Sequence, residues 1–82
     1  MAIRWLKNVL IDGQKSTLEI QIGSSFIGDK TYTRINKETE KWFRNKTDER
    51  ESVIREGIEI LKKRLEGKNI AFSDGKPFDW KP

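Results

Sequence analysis

The chain contains no cysteine and no histidine. Without cysteine there is no disulfide and no thiolate chemistry, so the fold must hold by packing alone. Without histidine go the commonest general base, the commonest transition-metal ligand and the usual pH sensor. No apolar run approaches the roughly 20 residues needed to span a bilayer. The opening MAIRWLKNVLI is interrupted by Lys7 and Asn8, and no small-residue cleavage pattern follows it. No glycine-rich loop is present to cradle a phosphate. Neither Asp12-Gly13 nor Asp74-Gly75 carries the acidic ligand series of a calcium loop. Ser24, Ser25 and Ser52 have no imidazole to activate them. These absences lead to the expectation of a non-catalytic, soluble, cytoplasmic protein with no cofactor, no metal and no membrane attachment.

What is present suits one small domain. The sequence has 82 residues, of which 34% are hydrophobic, and three tryptophans enlarge the apolar mass. That is near the size at which a single core becomes sufficient. Seventeen basic and 13 acidic side chains give a net charge of +4. The excess is divided evenly between residues 1–35 and 36–82. Local basic clusters stand out at Lys62-Lys63-Arg64 with Lys68, and at Lys37, Lys41, Arg44 and Lys46. Each reads either as a solvated helix face or as an anion-binding surface.

The clearest pattern is RESVIREGIEILKKRL, residues 50–65. On a helical wheel Val53, Ile54, Gly57, Ile58, Ile60, Leu61 and Leu65 share an arc of about 160°. Charged residues fill the remainder, as in an amphipathic helix with a broad buried face. Asp48 or Thr47 is the expected cap, and Gly67 the stop. The stripe is wider than one sheet contact needs. Val53 and Ile60 at its flank are therefore expected to meet a short helix or a second protomer.

Strands are expected upstream. Residues 2–11 place Trp5, Val9 and Ile11 on one parity, and Asp12-Gly13 supplies the positive φ of a tight hairpin. Residues 17–23 alternate Leu18, Ile20 and Ile22 with Thr17, Glu19 and Gln21, so one face is buried and the other wet. A turn region at 24–30 leads to a β-prone segment at 31–35. Asn36 then reads as the N-cap of a short helix through about residue 46, anchored by Trp42 and Phe43. Residues 69–73 suit a short last strand, followed by a tail with Phe78 and Trp80. The sum is an α+β domain: a three-stranded antiparallel meander, a short and a long helix, and a short C-terminal strand.

The segments TYTRI, NKETEKWFRNK and RESVIREGIEIL, within residues 31–65, resemble the ribbon-helix-helix family of DNA-binding regulators. That resemblance implies a dimer whose paired strands enter the major groove, with Tyr32 and Arg34, together with Lys30, facing the bases. It also implies phosphate held at the start of the second helix. Two functional readings follow. One is a regulatory protein that binds nucleic acid through Lys30, Tyr32 and Arg34, with Lys62, Lys63, Arg64 and Lys68 as a second basic set. The other is a protein-interaction domain using a sheet edge, the Val53/Ile60 flank or Trp80, whose tail either pins onto the sheet or anchors a partner.

Overall fold

The computed structural model describes residues 2–23, 30–44 and 50–82. Five strands and one helix follow in the order β1 (Ala2–Ile11), β2 (Gln14–Gly23), β3 (Lys30–Ile35), β4 (Glu38–Arg44), α1 (Arg50–Arg64) and β5 (Ile70–Phe72). The strands form a single sheet in the order β4-β3-β2-β1-β5, antiparallel throughout. The chain meanders outward from β1 to β4. Helix α1 then crosses one face, lying against β2 and β3, and delivers β5 to the far edge beside β1. No helix among the described residues is long and apolar enough to cross a membrane.

The alternation in β2 decides which face the helix covers. Leu18 and Ile20 are fully buried, and the register sets Ile20 between Trp5 of β1 and Thr33 of β3. Leu18, Ile20 and Trp5 join Val9, Ile54, Ile58, Leu61, Leu65 and Phe78 in one apolar cluster. Thr31 and Thr33 are buried as well, which suits β-branched side chains on a pleated surface. Gly57 is what lets the helix come so close. A Cβ there would stand 2.8 Å from Cδ1 of Ile20 and 3.0 Å from its Cγ2. Val53 is buried within the single chain, and Ile60 is half-buried at the edge of the helix's apolar stripe.

Two expectations are corrected. The meander has four strands rather than three, and the short helix expected over residues 36–46 is absent, because Glu38–Arg44 is strand β4. The cause lies in the turn. Asn36 and Lys37 both take left-handed backbone conformations (φ 55° and 67°), forming the two-residue connection of a tight hairpin with Ile35 opposite Glu38. Asn36 is thus a turn residue and not a helix cap. Its Oδ1 accepts a hydrogen bond from the Thr17 amide, and its own amide donates to the Thr17 carbonyl. These bonds carry the β2–β3 pairing one residue beyond the strand. Pairing with β4 then satisfies the second edge of β3, a gain that local helical preference does not offer. The Gly28-Asp29 turn and the helix cap at Thr47 or Asp48 lie outside the described residues.

The end of the chain is folded back. Gly67, at φ 86°, follows the helix, and Gly75, at φ 90°, closes the turn after β5. Phe72 donates to the Lys76 carbonyl at 2.8 Å and Phe78 to the Ile70 carbonyl at 3.3 Å, so the returning segment runs beside β5. Phe78 packs against Trp5, Phe72 and Trp80, with ring centroids 6.3, 5.0 and 4.9 Å away. The indole of Trp5 donates to the Lys81 carbonyl. The tail is a flap over the β5 side of the sheet.

Candidate nucleic-acid interface

On β3 the alternation that buries Thr31 and Thr33 beneath the helix turns Tyr32 and Arg34 to the opposite face. No helix among the described residues covers that face. Arg34 is held there from two sides. One terminal nitrogen, Nη1, lies 3.8 Å from Oε2 of Glu19, its cross-strand neighbour, and the other, Nη2, donates to the carbonyl of Lys37. Glu19 in turn accepts a 3.0 Å bond from the side-chain amide of Gln21. This carboxylate is only 3% exposed. A buried charge is tolerable only when paired and hydrogen-bonded, and Arg34 with Gln21 meets that need. The Arg34 side chain retains 24% exposure, and its buried Nε has no hydrogen-bond partner. The guanidinium is therefore fixed before any ligand arrives. Beside it Tyr32 is half-buried, and Leu6, across from Glu19 on β1, is 49% exposed.

The basic residues singled out in the sequence do not form one surface. Lys30, Tyr32 and Arg34 belong to β3, where Lys30 stands opposite Gly23 and Arg44 in the register. Lys62, Lys63 and Arg64 belong to the last turn of the helix, in the other layer, and Lys68 to the turn that follows it. Lys62 and Lys63 share a shallow depression around Ile60 with three carboxylates, Glu56, Glu59 and Glu66, and Lys62 lies 3.5 Å from Glu59. Lys68 is 3.7 Å from Asp12. Arg64 and Lys68 also line a hollow with Gln14, Ile35 and Asn36. Among the partner-binding candidates, Val53 is enclosed, Ile60 is half-covered, and Trp80 packs on Phe78.

The sequence reading singled out Lys37 in a basic cluster but not Lys15, and it did not bring the two together. Strands β1 and β2 overhang the β3–β4 hairpin by several residues, since Ile35 pairs with Leu18 while β2 begins at Gln14. The step leaves a hollow of about 410 Å³ lined by Asn8, Leu10, Lys15, Thr17, Asn36 and Lys37, among others. Lys15 and Lys37 are both exposed. Recognising Asn36-Lys37 as a hairpin turn would have brought them together, since the turn is what places Lys37 beside β2. Neither a scan of protein-family models nor searches among curated proteins and solved structures finds a match to this chain.

Proposed function

We propose that the protein is a small non-catalytic domain that binds nucleic acid on the sheet face opposite α1. The observation that carries this reading is the prefixed guanidinium of Arg34 beside Tyr32 on that face. A guanidinium held by a carboxylate and a carbonyl loses little freedom when a base stacks on it. Tyr32 adds a flat aromatic surface, and stacking on such surfaces contributes about 1–3 kcal/mol per base. The net charge of +4 agrees in sign with a polyanionic partner. The reading keeps the nucleic-acid partner implied by the ribbon-helix-helix resemblance but uses a different geometry, with the sheet in place of a dimeric ribbon.

The test is fluorescence anisotropy with labelled single-stranded DNA, duplex DNA and RNA at about 50 and 200 mM salt. Binding that weakens steeply with salt, and that Arg34→Ala reduces at least tenfold without loss of folded signal, is the expected outcome. Absence of binding at the lower salt overturns it. A protein-interaction domain is the second reading. It rests on the edge of β4, which has no further strand beside it among the described residues, whereas the tail flanks β5. Binding of a partner strand would then survive high salt and Arg34→Ala.

A further inference from the structure

The hollow at the step of the sheet gathers two lysines with no carboxylate in its lining, unlike the depression that Lys62 and Lys63 share with three glutamates. Lys62, Lys68, Lys81, Arg34 and Arg55 each have a carboxylate within ion-pair distance. Lys15 and Lys37 have none among the described residues, and no acidic side chain lines the hollow between them. Two uncompensated ammonium groups at one concavity favour an anion.

The rest of the lining narrows the choice of anion. Leu10 contributes an apolar wall, while Asn8, Thr17, Asn36 and Ser73 supply amide and hydroxyl groups around it. Asn36 spends its Oδ1 on the Thr17 amide, and its side chain is thereby fixed at the rim of the hollow. An apolar wall with a few convergent polar groups is the usual make-up of a small-molecule site, and about 410 Å³ lies within the usual size range. Inorganic phosphate would leave the apolar wall unused, and a fatty acid would leave the amides unused. A nucleotide uses both: its base lies on Leu10 with its edge toward the amides, and its phosphate lies between the lysines. The hollow also adjoins the proposed binding face, because the carbonyl to which Arg34 donates belongs to Lys37.

We infer that this hollow binds one unpaired nucleotide of a single-stranded nucleic acid, taking its base against Leu10 and its phosphate between Lys15 and Lys37. The inference rests on the nucleic-acid reading above and deepens it to a substrate class. A paired base in a duplex presents no free ring to a concave site, so the hollow selects for single strands.

Two titrations followed by amide NMR shifts test it: a nucleoside 5′-monophosphate, and a short single-stranded oligonucleotide. The mononucleotide is expected to saturate at millimolar concentration, with shifts confined to the vicinity of Leu10, Lys15, Thr17, Asn36, Lys37 and Ser73. The unphosphorylated nucleoside and inorganic phosphate are each expected to bind at least tenfold more weakly. The oligonucleotide is expected to shift the same amides together with those of Tyr32 and Arg34. Replacing Lys15→Gln and Lys37→Gly, the latter compatible with the positive φ, is expected to abolish mononucleotide binding and reduce the preference for single strands over duplex. If oligonucleotides bind through Arg34 but neither ligand shifts the hollow, this inference falls and the wider reading stands. If the mononucleotide fills the hollow but the oligonucleotide does not reach it, the strand as the source is overturned in favour of a free nucleotide. If no oligonucleotide binds at low salt, the wider reading falls as well.

Discussion

The two hairpins of this sheet are closed by the same kind of turn with different chemistry. Between β1 and β2 stand Asp12 and Gly13 at φ 49° and 84°, and between β3 and β4 stand Asn36 and Lys37 at φ 55° and 67°. In both, a short polar residue at the first position tolerates the left-handed conformation and clamps the turn to a distant part of the chain. Asp12 donates its amide to the Asn69 carbonyl and accepts the Asn69 amide at Oδ1, fastening the first turn to the exit of the helix. Asn36 makes the equivalent reciprocal pair with Thr17 and fastens the second turn to the sheet. The second position separates them. Glycine adopts its φ without strain, whereas a lysine in the left-handed region costs about 1–2 kcal/mol. The second hairpin closes despite that cost because its strand completes the sheet.

The two hairpins meet at Ile20, and the largest effect is expected there. Gly57→Val would force methyl groups into a space where even a Cβ stands 2.8 Å from Ile20. Overpacking of this kind costs about 3 kcal/mol, enough to remove much of the stability of a small domain. Chemical denaturation should show it. Adding Ile20→Ala should cost less in the Gly57→Val background than in the parent chain, by about 1 kcal/mol or more of coupling. Strict additivity would mean that the close approach of helix and sheet is not at Ile20.

The clamps come next. Asp12→Ala should destabilise by about 2 kcal/mol, from loss of left-handed tolerance and of the bond from Asn69, the exposed pair with Lys68 adding little. Asn36→Ala should cost slightly less, about 1.5 kcal/mol, for the same two reasons. Hydrogen exchange separates them by location. Asp12→Ala should raise exchange at Asn69 and in β5, and Asn36→Ala at Thr17 and in β4. Raised exchange in β5 on both changes would show that the two turns are not independently anchored.

The same comparison explains what could be read from the sequence. Asp12-Gly13 is a strong hairpin signal and Leu18, Ile20 and Ile22 alternate, so the two strands and the face turned to the helix followed from residues alone. Strand β2 starts at Gln14, ahead of the expected 17–23, and Glu19 and Gln21, expected to be wet, are buried. The helix followed from a 3.6-residue period that few other patterns imitate. Its observed end at Arg64 lies one residue from the expected 50–65 span. Asn36-Lys37 lacks the glycine that marks such turns, and Asn is also a good helix cap, so local chemistry permitted a helix over 36–46. What decided for β4 was a non-local term, the open edge of β3. The candidate site was legible in pieces. Tyr32 and Arg34 share a parity, but the fixing of Arg34 by Glu19 and Lys37 depends on cross-strand register and on that unread turn. The meeting of Lys15 with Lys37 was hidden for the same reason, the two being 22 positions apart in sequence and joined only by the step in the sheet.

The smallest effect is also the sharpest, because its sign is favourable. Lys37→Gly converts the second turn into the chemistry of the first. It relieves a left-handed lysine, and it adds back part of that gain as the greater backbone entropy of glycine in the unfolded chain, about 0.5–1 kcal/mol. The bond from Arg34 survives, since it is made to the carbonyl of residue 37 and not to its side chain. The net expectation is a stabilisation of about 0.5 kcal/mol, a rise of about 2–4 °C in melting temperature for a domain of this size. The same change removes one of the two ammonium groups from the hollow, so stability should rise while mononucleotide affinity falls. A lysine that served the fold would make both fall together, and opposite signs would identify its place at that turn as one kept for a ligand at the expense of stability.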